Sequence, residues 1–332
     1  MKQLLYKANI TAAGYYLPKK ILSNFDIEKT VDTNDEWIQS RTGIKERRIA
    51  EKGEASAEMS TKAILDLMKK HPLNPEEIDA IIIATITPDM MFPATAALVQ
   101  KNINAKNAWG YDLSAACSGF LFALQSGAAL ISSLQCKKVI VVGVDTMSSI
   151  LDFTDRNTCI LFGDGAGAIL LEPSKKYGIL DSKLKLDGSG GEFLNMPAGG
   201  SLLPASEETI KKRLHYVHQD GKTVYKKAVN EMANISLQVA KRNNLSNEDI
   251  NLFIPHQANK RIIDATAKKM GLKKSQIMIN INKYANTTSA TIPICIAEAQ
   301  EKQLLNKGDN VILSTFGAGF SWGATYLKWG SS

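Results

Sequence analysis

The chain has 332 residues, enough for one large domain or two packed halves with ample core. Hydrophobic residues make up 44% and charged residues 22%, which excludes a disordered, collagen-like or disulfide-built chain. The net charge of +7 comes without a long basic run, so a nucleic-acid-binding arm is excluded and an acidic partner or anionic substrate is not.

Taken from its start, the segment MKQLLYKANITAAGYYLP has an apolar stretch broken by Lys7 and does not read as a signal peptide. The first periodic segment, Ser56–Lys70, predicts an amphipathic helix with Ala57, Ser60, Ala63, Ile64 and Leu67 on one face. Ala80–Ala84 (AIIIA) reads as a buried strand, and Trp109–Leu113 as a strand running toward Cys117. Gly119–Ser132 is apolar nearly all round and predicts a buried helix. Residues 139–144 and 168–171 are further strands, and 173–177 is the expected boundary between halves 1–174 and 175–332. The Gly- and Pro-rich stretch 187–204 reads as a surface excursion. Residues 222–243 and Lys260–Met270 predict amphipathic helices, and 252–254 and 311–314 predict strands. Strands alternating with helices imply an α/β protein. No apolar run is long enough to span a bilayer, so a cytoplasmic location is expected.

An internal repeat overlays these elements. "EEIDAIIIAT", "GYDLSAACSGFLFALQSGAAL" and "KKVIVVGVDTMSS" in the first half parallel "EDINLFIPHQAN", "NKYANTTSATIPICIAEAQ" and "GDNVILSTFGAGF" in the second. Asp79 precedes Cys117 by 38 positions (117 − 79 = 38), and Asp249 precedes Asn286 by 37 (286 − 249 = 37). The repeat therefore predicts that Cys117 and Asn286 face each other across a pseudo-twofold axis.

Four cysteines, Cys117, Cys136, Cys159 and Cys295, show no C-x-x-C spacing, which fits a reducing compartment and no structural zinc. Cys117 lies between a strand end and a helix start, where the helix macrodipole favours the thiolate. The others read as small buried hydrophobes. His256 follows a strand and precedes a helix, the position where α/β sheets carry functional groups. His71 looks structural, and His215 and His218 lack a third ligand nearby. Asn286 is either a helix N-cap or the residue facing Cys117. The turn Gly317-Ala318-Gly319 can aim a backbone N–H at an oxyanion. Neither a strand-to-helix dinucleotide fingerprint nor a phosphate-cradling glycine loop occurs.

Six ordered motifs occur together: "DTNDEWIQSRTGIKERR", "SAACSGFLFAL", "DRNTCILFGDGAGAILL", "PHQANKRIIDATAKKMG", "NKYANTTSATIP" and "FGAGFSWG". With them the chain resembles the β-ketoacyl-acyl carrier protein synthase III family nearly end to end. The resemblance implies a thiolase-like fold of two pseudo-twofold-related αβαβα halves in five layers. It implies a decarboxylative Claisen condensation of a short acyl-coenzyme A with malonyl-acyl carrier protein, with no cofactor, in a homodimer without nucleic-acid or membrane partners. Cys117 then matches the acylated nucleophile, and His256 and Asn286 the pair that promotes decarboxylation. The N–H groups of Cys117 and Ala318 match the oxyanion hole, where Ala replaces a frequent Gly. Phe316 matches the aromatic beside the cluster, and Trp37, Arg41, Arg156 and Asn259 match the coenzyme A and pantetheine channel. Phe92 matches the limit of the acyl pocket, offered across the dimer interface, with Met90 and Met91 beside it. Arg261, Lys268 and Lys269 match the helix that docks acidic acyl carrier protein.

Two rival functions share this pattern. One is a sister condensing enzyme of secondary metabolism. The other is a non-catalytic subunit of a condensing heterodimer, which need not keep Cys, His and Asn. Elongating synthases carry a second His where this chain has Asn286.

Overall fold

The computed structural model describes residues 6–331. Five strands, β1 (Lys7–Tyr16), β2 (Ala80–Ala84), β3 (Trp109–Leu113), β4 (Val139–Asp145) and β5 (Gly165–Ser174), form one sheet in the order β1-β5-β4-β2-β3. Four more, β6 (Gly178–Leu186), β7 (Leu252–Pro255), β8 (Asn310–Gly317) and β9 (Ser321–Lys328), form a second in the order β7-β8-β9-β6. Strands β2 and β4 pair in parallel, as do β7 and β8. The next two pairings in each sheet are antiparallel. The helices that matter here are α1 (Asp35–Thr42), α2 (Ser56–Lys70), α3 (Thr95–Asn102), α4 (Gly119–Ser132), α5 (Gly221–Arg242), α6 (Lys260–Met270) and α7 (Thr291–Glu301).

Each helix's apolar pattern fixes its layer. Helix α4 and helix α7 are apolar on most faces, and both are buried in one core shared by the inner faces of the two sheets. Helices α2 and α3 bury one face against the outer side of the first sheet, while α5 and α6 cover the second. The layers run αβαβα, as the resemblance implied.

The repeat exists, but in a different register. Paired residues Ala80 and Val139 correspond to paired residues Leu252 and Val311, a constant offset (252 − 80 = 172; 311 − 139 = 172). The same offset carries Ala116 (φ 47°) onto Thr288 (φ 51°), and Cys117 onto Ser289. Asn286 thus stands three residues before the true counterpart of Cys117. The acidic residues suggested another alignment because Asp79 corresponds to Asn251 rather than to Asp249. The partner of β3 is reduced to a lone parallel bridge between Phe253 and Ile277.

Residues 187–204 are not a simple excursion. They contain Leu194–Asn195, which pair with His218–Gln219 and bring Leu194, Asn195 and Met196 to the wall of a cavity at Cys117.

Candidate active site

Two cavities meet at Cys117. One, of about 600 Å³, is a tunnel that Cys117 shares with His256, Asn286 and Phe316, and its mouth carries Trp37 and Arg261. The other, of about 530 Å³, lies beyond Cys117 and is mostly apolar, with Ile86, Phe122, Met147 and Met196 on its walls. Cys117 borders both, while His256 and Asn286 border the tunnel alone.

Cys117 sits in a tight turn between β3 and α4, entered through the left-handed Ala116. Its carbonyl accepts a hydrogen bond from Thr315 Oγ1 at 2.9 Å. Gly317 packs against it, and a Cβ there would lie 2.9 Å from the Cys117 nitrogen. Ala318 borders the apolar cavity beside Cys117. The quasi-equivalent position in the other half is closed. Strand β4 ends in Asp145, the counterpart of Gly317 (317 − 145 = 172), and its carboxylate accepts from Ser289 N–H at 3.1 Å and Ser289 Oγ at 2.7 Å. One twin ends in glycine and leaves room, whereas the other is plugged by a carboxylate.

The sequence expectation of a lowered Cys117 pKa is overturned. Burial pushes the thiol up to about 12, and the Asp145 carboxylate adds to this, while the Asn286 side chain pulls weakly the other way. Cys117 is 7% exposed, so desolvation of the thiolate outweighs what the short 3-10 turn and helix start can return.

His256 lies at the end of β7, its N–H donating to Ser314 O at 2.8 Å. The buried Gln257 side chain donates to Pro255 O and Met278 O and accepts the N–H groups of Asn280 and Ile281, fixing the chain on both sides. His256 Nδ1 is 2.7 Å from Thr291 Oγ1, and the buried Nε2 has no partner among the described residues. Burial pulls the imidazole pKa down to about 3. Burial therefore favours the neutral ring, which can donate or accept a hydrogen bond.

Asn286 is held by the first half of the chain. Its N–H donates to Leu161 O and its carbonyl accepts from Gly163 N–H, both at 3.0 Å. Its Oδ1 accepts from Thr288 N–H at 2.8 Å, which leaves the amide NH₂ to donate toward Cys117. It is not the cap of α7, because the 3-10 turn Thr288–Ala290 intervenes.

At the mouth, Arg156 lies over the Trp37 ring, 5.2 Å from its centroid. Asn259 caps α6 and donates to Arg41 O at 3.0 Å, tying α6 to the end of α1. Arg261 stacks over Tyr225 at 5.3 Å, and Lys268 and Lys269 lie in the last turn of α6, further from the opening. Phe316 stacks with Trp322 and packs at a tilt against Phe320 behind the tunnel. Phe92 is 84% exposed, and with Met90 and Met91 it lines neither cavity of the single chain. The far wall comes instead from Phe122, Met147 and Met196, which no sequence spacing singled out. Thr291 also escaped notice, though its place five residues after Asn286 was a usable signal.

The 3-oxoacyl-[acyl-carrier-protein] synthase III pattern matches residues 111–188, and its C-terminal companion matches residues 240–329. A beta-ketoacyl-[acyl-carrier-protein] synthase III of Chlorobaculum tepidum is 54% identical over 97% of this chain and 99% of its own. The chain belongs to the 3-oxoacyl-[acyl-carrier-protein] synthase III family. A relative of the same description from Koribacter versatilis is 50% identical over 97% of this chain and 98% of its own. The crystal structure of the Aquifex aeolicus synthase III is 41% identical and superposes with a TM-score of 0.90, covering 97% of this chain and all of that one. The fold is therefore thiolase-like, and the activity is that of the family, acyl transfer with carbon–carbon bond formation in fatty-acid synthesis.

Proposed function

We propose that the chain loads a short acyl group from coenzyme A onto Cys117 and joins it to the malonyl group of malonyl-acyl carrier protein. One observation carries this reading: Cys117 stands where two cavities meet, and the two donor residues face one of them. The acyl chain occupies the apolar cavity, and each thioester in turn occupies the tunnel.

In the loading step, Cys117 sulfur attacks the thioester carbonyl and the carbon–sulfur bond to coenzyme A breaks. The thiol proton leaves with the coenzyme A sulfur. The N–H groups of Cys117 and Ala318 hold the oxyanion. In the second step, malonyl loses carbon dioxide and the electron pair passes to the thioester as an enolate. His256 and Asn286 donate hydrogen bonds to the enolate oxygen, each worth on the order of 10²–10³ in rate. The enolate carbon attacks acyl-Cys117, and the released thiolate regains a proton from solvent. The step invokes neither a metal nor a redox cofactor.

Trp37, Arg41, Arg156 and Asn259 suit the adenine, phosphate and pantetheine of coenzyme A, since guanidinium groups pair with phosphates and stack on aromatic faces. Arg261, Lys268 and Lys269 suit an acidic carrier protein docking at the same mouth. Phe316 walls the tunnel, and Phe92 reaches the acyl cavity of a second copy in a homodimer. No helix among the described residues is long and apolar enough to cross a membrane; we place the enzyme in the cytoplasm, with residues 1–174 and 175–332 as its halves. A polyketide role is the second reading, since the priming beta-ketosynthase of the R1128 pathway shares the fold with a TM-score of 0.90 at 30% identity.

Incubation with acyl-labelled coenzyme A thioesters, followed by digestion, tests the loading step. The label is expected on Cys117. Label on Cys136, Cys159 or Cys295 would contradict it, and a panel of primers from acetyl to longer and branched chains reads the acyl preference.

A further inference from the structure

Burial disfavours the charged form of the His256 ring and lowers its pKa to about 3. Its tautomer, rather than its charge, therefore decides what it offers the tunnel. A neutral imidazole carries one N–H and one lone pair, and the group bound at one nitrogen dictates the other. Among the described residues, Nδ1 has one partner, Thr291 Oγ1 at 2.7 Å, and the buried Nε2 has none.

The Thr291 hydroxyl has a single proton and two acceptors within reach. One is His256 Nδ1; the other is Thr288 O at 3.2 Å. An O–H···O contact of that length lies beyond the usual range of about 2.5–3.0 Å. Thr288 O is also already served by the backbone N–H of Thr291. Thr291 is 2% exposed in the first turn of α7, so solvent does not compete for the hydroxyl.

We propose that the Thr291 hydroxyl donates to His256 Nδ1 and so keeps the imidazole proton on Nε2, ready to donate into the tunnel. Thr291 is thus a positioning residue. The inference rests on the reading above that His256 donates to the enolate oxygen. It parallels the neighbouring device in which Thr288 N–H occupies Asn286 Oδ1 and frees its NH₂. One short segment, residues 286–291, sets both donors.

Two-bond proton–nitrogen correlation spectra of the full-length, histidine-labelled enzyme test this directly. The chain has four histidines, and the His256 signals are those lost in His256→Ala. The wild type is expected to show a protonated Nε2 and a bare Nδ1, and Thr291→Ser to show the same. Thr291→Val is expected to move part of the population to Nδ1–H. It should lower malonyl-acyl carrier protein decarboxylation about tenfold, less than the 10²–10³ of losing a donor outright. Loading of Cys117 should be unchanged. Protonated Nδ1 in the wild type overturns the inference, as does an unaltered spectrum in a folded Thr291→Val. If instead His256→Ala still decarboxylates malonyl-acyl carrier protein normally, the role of His256 fails while the tautomer assignment stands.

Discussion

At the scale of single residues, the site depends on burial opposing charge. Cys117 and His256 are both desolvated, and both are held in their neutral forms. For His256 this has a measurable cost. Its pKa is about 3 when folded against 6.5 for an exposed ring, so between those values the unfolded chain binds the extra proton. The stability His256 contributes is whole above about pH 6.5 and is lost as pH falls toward 3, with a slope of at most about 1.4 kcal/mol per pH unit. Denaturant midpoints measured from pH 7 to pH 4 should fall less steeply in His256→Gln than in the wild type. Equal slopes would show that the ring is not buried neutral. In sequence, Cys117 and His256 were legible as strand-end residues. The burial that raises the thiol was not, because it comes from the turn Thr288–Ala290 and from β8, more than a hundred residues away.

At the scale of elements, the turn before α7 is held by the end of β4. Asp145 accepts from Ile86 N–H at 2.8 Å, from the Thr85 and Thr87 hydroxyls, and from Ser289 twice. An amide in its place presents a donor to donors and leaves at least one buried group unpaired, at about 1–3 kcal/mol. Asp145→Asn is therefore expected to lower stability in denaturant titrations and to slow condensation more than loading of Cys117, since Ser289 belongs to the segment that carries Asn286. Equal slowing of both steps would argue against that linkage. The strands found from sequence were runs of β-branched residues, such as Ala80–Ala84. Strands β1, β6 and β9 were missed because small and polar residues alternate along them, as in KANITAAGYY and SWGATYLK, without a continuous apolar run. The repeat was visible, but its register was not. Backbone pairing fixes that register, and the matched acidic residues lie two positions out of step in the second half.

At the scale of the whole molecule, the two halves share one core around α4 and α7, and the site lies at their junction. Among the described residues, strand β3 is an edge with β2 as its one neighbour in the sheet. Trp109 on that edge is half exposed, and Met91 and Phe92 stand nearly free. A bare edge strand is a template for pairing with a second copy. β3 also leads into the Cys117 turn and contributes Leu113 to the acyl cavity. The homodimer proposed above, joined there, would set a second copy beside that strand. Sedimentation should give twice the chain mass for the wild type, and Trp109→Asp with Phe92→Asp should give a monomer with reduced condensation. A monomeric, fully active wild type would contradict the assembly.

The most direct measurement compares the two half-reactions in His256→Ala and Asn286→Ala. Transfer of a labelled acetyl group to Cys117 and release of carbon dioxide from malonyl-acyl carrier protein are followed separately. Each variant is expected to load Cys117 as the wild type does and to lose decarboxylation by on the order of 10²–10³. Loading and decarboxylation falling together, or decarboxylation persisting unchanged, would contradict the division of labour between Cys117 and its two donors.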